Sequence, residues 1–143
     1  MRSKSEFRAL RETVGITQQR LAGDLDVAVL TVKRWESPNN RQNAPQTAWN
    51  LLDMLMERQD TAVRVALLEV DAIAEDRGEQ PEEVTLPYWS SDSDYYQHHI
   101  TRDHGDESWT EVNATARRIA IALRDRDIRV RWADGKDSPT PKI

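Results

Sequence analysis

Apolar residues recur every three or four positions along most of the first half of the chain, and alternation takes over at two places in the second half. Ser3-Lys4-Ser5-Glu6 has capping-box spacing, and Phe7, Leu10 and Val14 follow it, which predicts an amphipathic helix over residues 4–14 stopped by Gly15. Thr17 caps a second predicted helix to about Asp24, with Leu21, Ala22 and Leu25 inward. After a break at Asp26, a third over 28–36 buries Val32 and Trp35. Residues 37–43 are loop by composition. Pro45 suits a first helical turn, where its missing N–H costs nothing. The stripe Ala48, Leu52, Leu55 and then Ala62, Ala66, Val70 carries the helical period to about Arg77, with Val63, Leu67 and Ala74 beside it. Gln59-Asp60-Thr61 interrupts that stripe and Asp60 can act as a cap, so two helices are expected, 45–58 and 60–77.

Beyond an acidic connector containing Gly78 and Pro81, the period shortens. Val84, Leu86 and Tyr88 alternate with Thr85 and Pro87, a strand that its proline confines to an edge. Residues 92–99 read as a weak helix and 101–107 as a polar loop. Ser108-Trp109-Thr110-Glu111 is a second capping box, opening a helix with Val112, Ala116, Ile119, Ala120 and Leu123 inward. Ile128-Arg129-Val130-Arg131-Trp132 alternates as a strand with one buried face. The expected chain is mainly α: a helical domain over 1–77, a small α+β domain over 78–134, and a flexible tail over 135–143.

The chain has 143 residues, 38% hydrophobic and 31% charged, which suits one ordinary domain or two small ones with a modest core. It has no cysteine, which excludes disulfides, thiolate zinc sites and cysteine nucleophiles and fits a reducing, cytoplasmic setting. No apolar run approaches the ~18 residues of a membrane span. Met1-Arg2-Ser3-Lys4 leads into amphipathic sequence, not the apolar block of a signal peptide. The net charge of −5 is uneven, +3 over residues 1–45 and −8 over the rest. A basic segment on an acidic body can face DNA phosphates while the body stays in solution.

The spacing within the first three helices carries the most information. Where two helices cross steeply, the residue at the crossing must be small, and Ala22 stands there. Four residues on, the backbone turns through positive φ, where Gly, Asn or Asp cost least, and the residue is Asp26. Six further on, Val32 plugs the gap between the helices, and Leu21, Leu25, Val27 and Trp35 complete the apolar set. This is the helix-turn-helix pattern, in which one helix holds the next in the major groove. Gly15-Ile16-Thr17-Gln18-Gln19-Arg20-Leu21-Ala22, Leu25-Asp26-Val27 and Thr31-Val32-Lys33-Arg34-Trp35-Glu36 together resemble the Cro/repressor (XRE-type) family over about residues 5–58. Asp26 replaces that family's usual turn glycine, and Ala28 the serine that usually opens the recognition helix. The resemblance implies a lambda-repressor-like DNA-binding domain. The layout of the second half is similar to that of anti-CRISPR-associated regulators and related bacterial proteins, which implies a dimerisation domain.

Residues at the start of the recognition helix and one turn later then face base edges: Val29, Leu30, Lys33 and Arg34. Thr17, Gln18, Asn39, Asn40 and Arg41 are placed at phosphates. Dimerisation is assigned to Val84, Leu86, Tyr88, Ile119, Leu123, Ile128, Val130 and Trp132. Val29 and Leu30 either pack on thymine methyls or mark a helix that binds protein. His98, His99 and His104, with Asp94, Asp103 and Asp106, make a poor metal cluster, because adjacent histidines on a helix point about 100° apart. The carboxylate pairs Glu82-Glu83 and Asp92/Asp94 lie in connectors with no apolar pocket, and the five glycines are scattered. No catalytic residue, cofactor, metal, membrane or small-molecule ligand is expected. The expected partners are double-stranded DNA, bound at an inverted repeat, and a second copy of the chain. The competing class is an interaction protein on the same fold, such as an antitoxin.

Overall fold

Ser3, in extended conformation, accepts a hydrogen bond from the Glu6 amide and starts α1 (Lys4–Val14); Gly15, at φ 86°, ends it by donating its N–H to the Arg11 carbonyl. The computed structural model describes residues 2–98 and 107–137, apart from the side chains of residues 97 and 98. It is mainly helical with one small sheet, and the chain divides into two units, Met1–Asp60 and Thr61–Ile143.

In the first unit, α2 (Gln18–Leu25), α3 (Val29–Glu36) and the first half of α4 (Gln46–Arg77) follow α1. Phe7, Val14, Ile16, Leu21, Ala22, Val32, Trp35, Ala48, Trp49, Leu52 and Leu55 form its core. Phe7 sits edge-on to both Trp35 and Trp49, with ring centroids 5.9 and 5.0 Å away. Such edge-to-face contacts add about 0.5–1.5 kcal/mol each beyond area burial.

α4 is one helix, not the two expected from the polar step at Gln59-Asp60-Thr61. Gln59 is buried because its side-chain amide donates to the Thr13 and Val14 carbonyls at the end of α1, at 3.0 and 3.4 Å. It satisfies acceptors that α1 leaves open at its C-terminus, so a polar residue inside the stripe is no sign of a break. With neither Gly nor Pro nearby, the helix runs on, and the boundary between the units falls within it.

In the second unit, β1 (Glu83–Tyr88), α5 (Asp92–His98), α6 (Trp109–Asp125) and β2 (Arg129–Asp134) follow the rest of α4. The strands pair in parallel, Val84 opposite Val130 and Leu86 opposite Trp132, so the chain between them is a crossover. Val70, Leu123 and Ile128 form the core, with Leu67, Val84, Leu86, Ile119 and Val130 packed around it. Asn113, 2% exposed, holds Trp89 by both backbone groups: its Oδ1 accepts from the Trp89 N–H and its Nδ2 donates to the Trp89 carbonyl, each at 2.8 Å. The tail expected from 135 onward begins instead as a short 3₁₀ turn (Gly135–Asp137), with Gly135 buried against the Trp89 ring. The loop expected over 101–107 lies, except for Glu107, outside the described residues, as does the remainder of the tail.

Candidate nucleic-acid interface

Two helices and a tight turn build the candidate surface. Thr17, at φ −72° and ψ 157°, accepts from the Arg20 amide to cap α2. Such a cap contributes about 1 kcal/mol. Asp26 ends α2 in the left-handed region, at φ 55° and ψ 46°, and donates its N–H to the Ala22 and Gly23 carbonyls. The Val27 amide also reaches the Ala22 carbonyl, at 2.9 Å. The departure from glycine at this turn is thus accommodated, at the modest strain that aspartate tolerates better than most residues. Ala28 begins α3 with no side-chain acceptor for its first amides.

α3 turns Val32, Trp35 and Glu36 inward. Its outer face presents Leu30, 54% exposed, with Lys33 and Arg34 one turn on, a strip at i, i+3 and i+4. Neither cation makes an ion pair among the described residues. Val29 stands apart from this strip: it is half-buried and packs against the core. Thr17 is exposed at the start of α2. Gln18 is half-buried, and its amide donates to Glu36 Oε1 at 3.2 Å, so it spends its N–H within the protein. Asn39 and Arg41 are exposed in the loop after α3, whereas Asn40 uses its side-chain oxygen to accept from the Gln42 amide at 2.8 Å.

Two polar arrangements absent from the sequence reading hold this surface. Arg11 donates through Nε and Nη2 to the Glu36 carboxylate, at 2.5 and 2.9 Å, and through Nη1 to the Ile16 carbonyl at 3.0 Å. With Gln18 on the same carboxylate, α1, α2 and α3 meet at one buried acid. The second is Lys4, whose ammonium donates to the carbonyls of Arg34 at 3.0 Å, Trp35 at 3.3 Å, and Gln42. A cation there satisfies the open carbonyls of α3 and opposes the negative end of its dipole. Because the same ammonium holds the Gln42 carbonyl, it ties the loop that carries Arg41 to the end of α3. The Arg11–Glu36 pairing could be sought from i-to-distant charge complementarity, but nothing in the local spacing marks it.

Elsewhere in the first unit, Arg2 makes a two-point pairing with Asp53, both contacts at 2.8 Å, and lies 4.1 Å from the centre of the Trp49 ring. The hydrogen bonds from Arg2 hold the Asp53 carboxyl below the usual carboxylate range and raise the Arg2 guanidinium above its ordinary value.

The residues assigned to dimerisation do not share one exposed face. Leu123 and Ile128 are each 1% exposed and belong to the unit's own core; Val84, Leu86, Ile119 and Val130 pack against them. Helices α4 and α6 cover these apolar groups, and the sheet does not hide them alone. Tyr88 and Trp132 remain exposed, edge-on to each other at 5.3 Å. Val65 and Leu68 on α4, which the sequence reading passed over, are also exposed. Among the described residues no group of histidine and carboxylate side chains is arranged to hold a metal; His99, His104, Asp103 and Asp106 lie outside them, as does the side chain of His98. No helix among the described residues is long and apolar enough to cross a membrane.

No protein-family model matches this chain, and no curated protein matches it.

Proposed function

We propose that the chain is a sequence-specific DNA-binding transcriptional regulator, a dimeric repressor that reads an inverted repeat through a helix-turn-helix. The observation that carries this reading is the outer strip of α3. Leu30, Lys33 and Arg34 face solvent on a short helix seated against α1 and α2 by a buried acid, and the two cations make no ion pair among the described residues. Lys33 and Arg34 supply phosphate charge or guanine contacts, and Leu30 supplies contact with a thymine methyl. Arg41, Asn39 and Thr17 are the proposed backbone contacts. Gln18 contributes by fixing α2 against α3.

The second copy is proposed to meet the first over α4, where Val65 and Leu68 are exposed one turn apart. Antiparallel seating centred on these two residues sets Arg64 of one copy opposite Glu69 of the other. Leu30 also favours a second reading, since an exposed leucine on α3 suits a protein partner as well as a methyl group. Binding to a randomised operator library at two salt concentrations separates the two. Enrichment of an inverted repeat, lost when Lys33 and Arg34 are reversed in charge, supports the repressor. No enrichment turns α3 over to the protein-interaction reading.

A further inference from the structure

The sheet of the second unit has two strands, so each keeps one edge, and among the described residues no backbone group pairs with the outer edge of β2. Beside it runs an open groove of about 800 Å³. Every residue from Asp127 to Trp132 lines it. Side chains alternate between the two faces of a strand, so an unbroken lining marks the edge, not a face. α6 forms the other wall through Ala120 and Ile121, the latter 60% exposed. Around these apolar groups stand four arginines, Arg117, Arg124, Arg129 and Arg131, against two carboxylates, Glu83 and Asp127. Arg117 donates to the Tyr88 hydroxyl at 2.7 Å and Arg131 lies 4.0 Å from Glu83, whereas Arg124 and Arg129 make no ion pair among the described residues. The excess is basic in the half of the chain that is otherwise acidic.

We infer that this groove takes an acidic, extended peptide segment of another protein as a third strand beside β2. Three features call for that occupant together. An open strand edge offers N–H and C=O groups in alternation, which another peptide backbone meets in register. The apolar wall accepts every second side chain of an added strand. The arginines meet carboxylates on the same strand in charge-assisted pairs. DNA satisfies only the last of these: phosphates accept hydrogen bonds but offer no donors to the β2 carbonyls and no apolar surface for Ile121 and Trp132. A second copy is opposed by charge. Its β2 would bring a basic strand, with Arg129 and Arg131 against Asp134 alone, to a groove that already holds more arginines than carboxylates. The inference does not depend on the DNA reading, because no groove residue belongs to the first unit.

The test uses the full chain and a fluorescein-labelled peptide of alternating glutamate and valine, long enough to span β2, with a lysine–valine peptide as control. Anisotropy is expected to show binding of the acidic peptide alone. Arg124→Glu and Arg129→Glu, both at solvent-facing positions, should each weaken it about tenfold, the value of one charge-assisted hydrogen bond. Arg8→Glu, on α1, should leave it unchanged. Hydrogen exchange should slow at the outward amides of β2 when the peptide is added, and N-methylation of alternate peptide amides should abolish binding. Equal binding of the lysine–valine peptide, or none of either, overturns the inference. So does tight binding of the N-methylated peptide. If Arg124→Glu and Arg129→Glu instead weaken binding of a DNA duplex, the groove is a nucleic-acid surface; if they change the oligomeric mass without peptide binding, its occupant is a second copy.

Discussion

The ammonium of Lys4 lies 3.0 Å from the carbonyl of Arg34, joining the first turn of the first helix to the last turn of α3. Lys4→Met retains the stem and removes the donors. It should cost about 1 kcal/mol of stability, as expected for a half-buried hydrogen-bonding group. Its larger effect should fall on DNA affinity, because the loop carrying Arg41 loses its tie to α3. Thermal unfolding and operator titration on the same variant separate the two; an unchanged affinity would remove Lys4 from the interface.

Glu36 accepts from both Arg11 and Gln18 while 8% exposed, so removing one partner strands a buried charge. Glu36→Ala is expected to cost about 3 kcal/mol. Adding Arg11→Met should recover part of that loss, because the unpaired guanidinium goes with it. Denaturant unfolding of the two single variants and the double variant measures the coupling, and strictly additive losses would contradict it.

Arg34 and Arg41 should behave differently on DNA. Arg34→Ala is expected to cost ~1–3 kcal/mol and relax preference at one base position. Arg41→Ala should weaken all sequences alike and reduce the salt slope by about one. Titration against operator variants at several salt concentrations gives both quantities.

The Arg2–Asp53 pair sets a pH dependence. The folded protein holds the Asp53 carboxyl below its unfolded value, so the stabilisation is complete above the ordinary carboxylate range. It disappears as pH falls through the lowered folded value. Both side chains are about half exposed, at 45% and 48%, so screening keeps the contribution under about 1 kcal/mol. The difference in melting temperature between the protein and Asp53→Asn should therefore shrink steadily in acid and be smallest at the lowest pH. A constant difference would assign it to something other than the charge.

Gly135→Ala tests the end of the second unit. A Cβ at this position would collide with the Trp89 ring, which Asn113 fixes by its backbone on both sides. The loss should be about 1–3 kcal/mol, typical of overpacking. Near-ultraviolet circular dichroism should report displacement of the tryptophan, while Gly23→Ala, with open space around it, should leave that signal intact.

Much of the first unit was legible because its elements rest on local rules. Ser3, Gly15, Thr17 and Asp26 act at the caps and turn where their spacing places them. Gln59 misled because its hydrogen-bond partners lie on α1, far away in sequence, and a stripe records polarity without recording what satisfies it. The packing of Val29 was not legible for a related reason: position on a short helix does not say which side the core will claim. The same holds for Leu123 and Ile128, whose cover is supplied largely by α4 and α6. Parallel pairing of the strands was not legible either, since alternation within a strand carries no information about the direction of its neighbour.

That pairing has a consequence for how the protein is made. β1 leaves the ribosome well before β2, with the whole α5–α6 crossover still to be synthesised between them. During that interval Val84, Leu86 and Tyr88 form an apolar strand with no mate, open to the same segment of another nascent chain. Pro87 removes one backbone donor from it and Glu83 sets a charge at its start. The residues that make β1 a poor central strand in the finished molecule also protect the unfinished one from its neighbours on the polysome.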